Sequence, residues 1–252
     1  MSYRDPNLEA PDIARYFPHL HSRVMPHSMG QEVLSDWADK DPDDPVFGIY
    51  RVCGFLNYDE AAIVYQCAKQ IGGYWLDVGC HTGWTALHMA RAGAWVVGID
   101  PMLANEEFKA RTQENISRVR MYHKIRLMPV TSRMLFGYNQ EPVITATSGF
   151  DGVLIDGDHC WGEPEYDAEQ SFEHLNDRGV ILLHDFIGGP VTKAVTWLMA
   201  QGMKCRVYCS SSQLLAVCWR GEFTPPDYTP DPAVDWLEYR TRVTDFNFQE
   251  CV

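Results

Sequence analysis

Apolar and polar residues fall into blocks along this chain, and the period of the blocks switches repeatedly between helix and strand. The first regular block opens at Asn57, with Glu60 three residues later as the second half of a capping pair. Ala61, Val64, Tyr65 and Ala68 then recur at helical spacing, and Gly72-Gly73 ends the run. Five short apolar runs follow as strands: YWLDV (74–78), AWVVGID (94–100), KIRLMPV (124–130), FDGVLID (150–156) and GVILLHD (179–185). Helical stretches separate them. One covers 83–93 and stops at Gly93; a polar one covers roughly 104–121. Another opens near Pro164 with Ala168, Phe172 and Leu175 on one face. The last opens at Gly188-Gly189-Pro190, carries Val191, Ala194, Val195, Leu198 and Met199 on one face, and ends at Gly202. CRVYC (205–209) and LLAVCW (214–219) read as a closing hairpin.

Strands that are apolar without alternation need cover on both faces, and strands alternating with helices need crossover connections. The expected fold is therefore α/β: a Rossmann-like, doubly wound, mostly parallel seven-stranded sheet with an antiparallel final hairpin. Prolines 6, 11, 18, 26, 42 and 45 break any long element before residue 57, so 1–56 reads as an irregular extension or lid. Residues 57–220 form the α/β body. Residues 221–252, with Tyr228, Trp236, Tyr239, Phe246 and Phe248 among acids, read as a tail packing on the body or on a partner subunit.

In such sheets ligands bind beyond the carboxyl ends of the strands, near the point where strand order reverses. The first strand runs into LDVGCHTG, where Asp77, Gly79 and Gly83 form D-x-G-x-x-x-G. Gly79 lets the backbone turn tightly and approach a ligand, and His81 lies inside the turn. The spacing is not the G-x-G-x-x-G of pyrophosphate sites, and a carboxylate beside the turn favours a ligand carrying an amine or sulfonium. The second strand ends at Asp100, where a carboxylate is placed to accept ribose hydroxyls or to cap the turn before Pro101. Thr131 and Ser132 end the third strand, as purine contacts or as a helix cap. The fourth and fifth strands end in Asp156, Asp158, His159 and in His184, Asp185. If those strands are neighbours, the five side chains converge, and clustered carboxylates either raise one another's pKa or bind a cation. Carboxylates suit magnesium, and the histidines admit manganese, iron or zinc.

Composition narrows the field. The chain of 252 residues carries 34 acidic and 21 basic side chains, a net charge of -13, so a phosphate-backbone binder is not expected. No apolar run is long enough to span a bilayer, and MSYRDPNLEAPD lacks the features of a signal peptide, so the expectation is a cytoplasmic protein with neither nucleic-acid nor membrane partners. The 8 cysteines show no C-x-x-C spacing and read as reduced thiols. His19, His21 and His27 fall in the irregular N-terminal stretch as loop or lid residues, and His88 reads as helix packing.

Across 57–219 the order of these features resembles the class I S-adenosylmethionine-dependent methyltransferases. The block FDGVLIDGDH…GVILLHDF is similar to the branch of small-molecule O-methyltransferases acting on sugars and other natural products. The resemblance implies S-adenosylmethionine as cofactor, held by Asp77, Gly79, His81, Gly83, Asp100, Thr131, Ser132 and Asp156. It implies a divalent metal such as Mg2+ between Asp156 and Asp185, with His184 standing where that branch often has an acid. The implied reaction is methyl transfer to a hydroxyl of a small molecule, with Asp158 or His159 as base. Transfer to nitrogen or carbon by a histidine base without metal, and a non-catalytic cofactor-binding subunit, are the alternatives. A homo-oligomer is compatible with either.

Overall fold

Strand order shows directly where this chain can hold a ligand. A computed structural model describes residues 5–16, 56–137, 149–160, 162–187, 189–210, 214–232, 243 and 246. His19, His21, His27, Trp236, Tyr239, Phe248, Cys53 and Cys251 lie outside them. The strands are β1 (Tyr74–Val78), β2 (Trp95–Ile99), β3 (Ile125–Met128), β4 (Phe150–Ile155), β5 (Leu175–Leu183), β6 (Lys204–Tyr208) and β7 (Leu215–Arg220). They form one sheet in the order β3-β2-β1-β4-β5-β7-β6. β1 pairs in parallel with both β2 and β4, and β4 pairs in parallel with β5. β7 runs antiparallel between β5 and β6, so the expected final hairpin is present with β6 at the edge. The order reverses between β1 and β4, and the sites sought in the sequence lie at that crevice.

The described helices are α1 (Tyr58–Ile71), α2 (Trp84–Arg91), α3 (Glu106–Arg118), α4 (Ser132–Gly137), α5 (Glu163–Glu173) and α6 (Gly189–Ala200). Their starts follow local chemistry. Asn57 and Glu60 close a full capping box on α1, each side chain bonded to the other's backbone N–H. Asn105 caps α3 through Phe108 N, after a short 3-10 turn at Pro101–Ala104. Two layers of side chains cover the sheet. Trp75, Val96, Leu154, Val180 and Leu182 pack with Ala61, Val64, Leu87 and Met89 of α1 and α2. Leu76, Val78, Val153, Ile155, Ile181 and Leu183 pack with Ala168, Val191, Val195 and Leu198 of α5 and α6. The uninterrupted apolar runs are thus divided residue by residue between two cores.

One element starts earlier than the pattern predicts. Leu175, expected on the apolar face of the helix after Pro164, is instead the first residue of β5. α5 stops at Glu173, and Asn176 bonds across to Asp151, holding the early part of β5 against β4 through a register shift at Phe150/Gly152. Leu175 remains buried either way, which is why hydrophobic periodicity alone placed it on the wrong element.

The described ends of the chain lie against α1. Asp59 accepts the Asp5 N–H, Asp5 accepts the Thr229 N–H at 2.7 Å, and Ile13 is buried in the core below. Phe246 of the tail meets Phe186 edge to face at 4.8 Å between centroids. Cys67, Cys80, Cys160, Cys205, Cys209 and Cys218 are free thiols. No helix among the described residues is long and apolar enough to cross a membrane.

Gly152 of β4 faces the Trp75 indole so closely that a Cβ there would stand 2.3 Å from a ring carbon. The Gly152→Ala variant is expected to lose about 1–3 kcal/mol of stability through overpacking, read as a lower denaturation midpoint.

Candidate active site

At the carboxyl end of β1 the chain turns through Gly79, whose φ is +84°. A Cβ at that position would lie 2.3 Å from the carbonyl oxygen of Asp156, so only glycine allows β1 and β4 to close to this distance. Gly83, at φ +91°, then starts α2. His81 also sits at positive φ, with its ring edge-on to Phe108 and its N–H donated to Asp100 Oδ2 at 2.9 Å. Asp100 Oδ1 accepts the Met102 N–H at 2.8 Å. The β2 acid therefore ties the glycine turn to the loop after β2, and each of its oxygens keeps a second lone pair.

Asp77 is fully buried on the α2 side of β1. Its Oδ2 accepts the Thr85 hydroxyl at 2.6 Å, and its Oδ1 has no partner. Burial pushes this carboxyl up to about 7, against the opposing pull of the Thr85 bond. Asp77 thus lies beneath the cleft, whose surface here is made by Val78, Gly79 and Thr85. The cleft has a volume of about 370 Å³ and runs from this turn past Asp100 and Met102 to Val130, Thr131 and Ser132, with Asp156, Gly157 and Asp158 on the β4 side. Thr131 caps α4 by accepting the Met134 N–H at 3.2 Å, and its exposed side chain borders the cleft. Ser132 is buried and donates to Asp167 of α5. Burial pushes the Asp167 carboxyl up to about 6.

The ends of β4 and β5 bring four of the five expected residues into a contact network. The His184 N–H bonds the Ile155 carbonyl, locking the two strand ends together. The His184 ring is 1% exposed, with Nδ1 3.0 Å from Asp156 Oδ1 and 3.3 Å from Asp185 Oδ2. Its Nε2 is 3.4 Å from Glu60 Oε2, at an angle too poor for a hydrogen bond. Burial alone would lower this imidazole, but the charges of Asp156 and Glu60 and the hydrogen bonds around the ring raise it well above the ordinary histidine value. Burial raises Asp156 despite His184 beside it, whereas for Asp185 the histidine contacts outweigh burial and lower it. Asp185 adopts φ +55°, a left-handed conformation tolerated by Asp, and its Oδ2 also lies 3.2 Å from His159 Nδ1. His159 Nε2 is unpartnered. Asp158 stands apart: it is exposed, accepts the Cys160 N–H at 2.9 Å, and is lowered by its hydrogen bonds to Cys160.

Two participants escaped the sequence reading. Glu60 was legible only as a helix cap, yet it is fully buried and also accepts from Ser210 Oγ. Asp167 lies on the same α5 face as Ala168, and an acid on an apolar face was the available signal.

A seven-stranded sheet of this order, parallel through β5 and antiparallel at its final pair, is a Rossmann-like α/β fold. The family described as a methyltransferase domain matches residues 76–186, from within β1 to just past Asp185. Three solved structures share the fold at low identity. A Staphylococcus aureus protein assigned as a caffeoyl-CoA O-methyltransferase has 16% identity and a TM-score of 0.56, covering 77% of this chain and 93% of its own. The O-methyltransferase TomG from Streptomyces achromogenes, involved in tomaymycin synthesis and solved with SAM, has 13% identity and a TM-score of 0.53 over 66% of this chain and 82% of its own. A precorrin-6y C5,15-methyltransferase from Geobacter metallireducens has 14% identity and a TM-score of 0.51 over 66% of this chain and 91% of its own. No curated protein gives a significant match.

Asp77, Asp167 and His184 all hold protons more tightly in the folded chain than ordinary carboxyls or imidazoles do. Groups raised on folding stabilise below their unfolded values, and that contribution is lost as pH rises through the folded ones. The ligand-free protein is therefore expected to melt at a lower temperature at pH 8 than at pH 5.5, and Asp77→Asn should flatten the difference. Thermal scans across that range check it; a melting temperature that climbs with pH would contradict the assignment.

Proposed function

We propose that this chain methylates a hydroxyl group of a small molecule, with S-adenosylmethionine as the methyl donor. The observation that carries the reading is the glycine turn at Gly79, packed on the Asp156 carbonyl at the head of a cleft whose far wall presents Asp100, Ser132 and Asp167. A backbone turn with no room for a Cβ, followed by a carboxylate at hydroxyl-accepting reach, fits an extended nucleoside with an amino-acid-like arm. Bound there, S-adenosylmethionine supplies a methyl group on a sulfonium, which an oxygen lined up opposite the sulfur takes by in-line displacement.

A neutral hydroxyl is a weak nucleophile and needs a base. Of the two bases expected from the sequence, His159 has the better geometry. Asp185 faces its Nδ1 and orients the ring, leaving Nε2 to receive the acceptor's proton. Asp158, exposed and bound to the Cys160 N–H, is a weaker base than an ordinary carboxylate. The charge left on His159 after proton transfer is answered by Asp185.

The residues at the β4 and β5 ends also fit a divalent cation. Asp156, His184 and Asp185 each offer one donor atom, all within 4.8 Å of one another. Separations of 3.0 and 3.3 Å between the ring nitrogen and the two carboxylate oxygens suit neighbouring ligands of one ion. Glu60 lies 3.4 Å behind Nε2, on the side where a ligating histidine commonly meets a carboxylate, though without a hydrogen bond to the ring here. One nitrogen and two oxygens match manganese, iron or zinc better than magnesium, which prefers oxygen throughout. Such an ion would hold the acceptor oxygen and lower its pKa.

Calorimetry should detect binding of S-adenosylmethionine and of its demethylated product to the full chain. His159→Gln should keep that binding and lower turnover by about 10²- to 10⁴-fold on a hydroxylated acceptor panel. Absence of binding would sink the cofactor reading; unchanged turnover in the variant would remove His159 from the chemistry. Manganese should bind more tightly than magnesium in the same instrument, and His184→Glu should reverse that preference. Turnover that survives exhaustive chelation would instead favour metal-free transfer, to oxygen or to nitrogen or carbon.

A further inference from the structure

A second cavity, of about 260 Å³, lies between the N-terminal segment and the helices α1 and α2. Asp5 and Asp12 of that segment border it, with Tyr58 and Asp59 of α1 and Trp84 and His88 of α2. Trp84 also borders the cleft described above, so one indole is shared between the two spaces. Asp59 and His88 have no part in the chemistry proposed for that cleft.

Asp59 is 4% exposed, and the bonds it accepts are long: 3.3 and 3.4 Å from the Asp5 N–H, and 3.4 Å from the Tyr228 hydroxyl. Among the described residues it pairs with no lysine or arginine, and the charges beside it, those of Asp5 and Glu60, repel it. Burial pushes the carboxyl up to about 6, which still leaves it ionised at neutral pH. A buried carboxylate without a counter-charge destabilises a fold, so its place beside a cavity calls for a positive partner.

His88 supplies a second, independent acceptor. Its side chain is 2% exposed, with Nδ1 2.8 Å from the Trp84 carbonyl oxygen. That oxygen only accepts, so the ring proton sits on Nδ1 and Nε2 carries a lone pair. Burial lowers the imidazole to about 4, which keeps it neutral. No donor among the described residues meets Nε2, and Nε2 is not one of the polar atoms sealed from solvent; the ring borders the cavity. The rings of Tyr58, Trp84 and His88 meet edge to face, with successive centroids 5.8 and 4.4 Å apart.

An unanswered anion, an imidazole that only accepts and a row of rings together define a ligand that is cationic, carries N–H groups and has an apolar body. A bare metal ion does not fit. Among the described residues the donor atoms that converge for an ion are those of Asp156, His184 and Asp185, not these. A quaternary ammonium would meet the charge and the rings but would leave Nε2 without a donor.

We propose that this cavity binds a small organic molecule bearing a protonated amine, its charge held by Asp59, its N–H groups shared with His88 Nε2 and its carbon chain lying along Trp84 and Tyr58. The site is separate from the cleft that takes the methyl donor, and the inference does not rest on the identity of that donor.

The test is calorimetric titration of the full chain at neutral pH with n-pentylammonium, its N-trimethylated counterpart and 1-pentanol. The first should bind at least about tenfold more tightly than either of the others, the scale of a charged hydrogen bond. Asp59→Asn and His88→Phe should each weaken it by about tenfold or more while melting as folded proteins. Saturating S-adenosylhomocysteine should leave the amine bound. In the 15N-labelled wild type, which has 8 tryptophans, the Trp84 indole N–H signal should move most on titration, the assignment coming from Trp84→Phe. Equal binding of the three probes, no binding of n-pentylammonium, wild-type affinity in folded Asp59→Asn, displacement by S-adenosylhomocysteine or a Trp84 signal that stays still would each overturn the assignment. The probe comparison and the indole signal on the unaltered chain decide the matter even if the cavity variants fail to fold. Failure of the methyl-donor reading would appear separately, as absent binding of S-adenosylhomocysteine.

Discussion

Charge burial at the strand ends is the constraint around which this molecule is arranged. Acids stand at or beside the carboxyl ends of β1, β2, β4 and β5, along one edge of the sheet. Carboxylates so placed must be neutralised, hydrogen-bonded or matched by a cation. Each acid has a different answer. Asp100 takes two backbone N–H groups, Asp77 takes a hydroxyl and a raised proton affinity, and Asp156 and Asp185 share the His184 ring. These answers divide the rim into a part beside the glycine turn, held by backbone and hydroxyl donors, and a part around the His184 ring.

The two parts are joined mechanically as well as electrostatically. Gly79 stands against the Asp156 carbonyl, and Asp156 N–H bonds Val78. The His184 N–H in turn bonds Ile155. Backbone contacts thus run from the glycine turn to the histidine cluster without passing through a flexible loop. The separation between the glycine turn after β1 and the histidine cluster at the ends of β4 and β5 is consequently set by sheet spacing, which is among the stiffest dimensions a protein has.

Most of the frame was readable from the chain alone, because continuous apolar runs and glycine punctuation leave few topologies open. β1 runs over the five residues YWLDV, and Asp156, His159, His184 and Asp185 do meet. The failures have physical causes. Leu175 is apolar and buried in helix or strand alike, so burial could not place it. Asp77 looked like a cleft residue, yet alternation along β1 turns it toward α2. Glu60 looked like a cap and is one, but the same oxygen that takes the Asn57 N–H also faces His184, 124 positions away, which no local pattern encodes. Asp167 is separated from Ser132 by a loop and a strand, and only their packing reveals the shared edge.

Phe186 follows Asp185 directly, and Phe246 braces it from the distant tail. During synthesis β5 leaves the ribosome long before that brace exists. The left-handed turn that aims Asp185 at both imidazoles therefore gains this support only after the segment carrying Phe246 has been made. Assembly of the Asp185 corner is in this sense deferred by the order of residues along the chain, and a translation product stopping before Phe246 would carry the glycine turn without that brace.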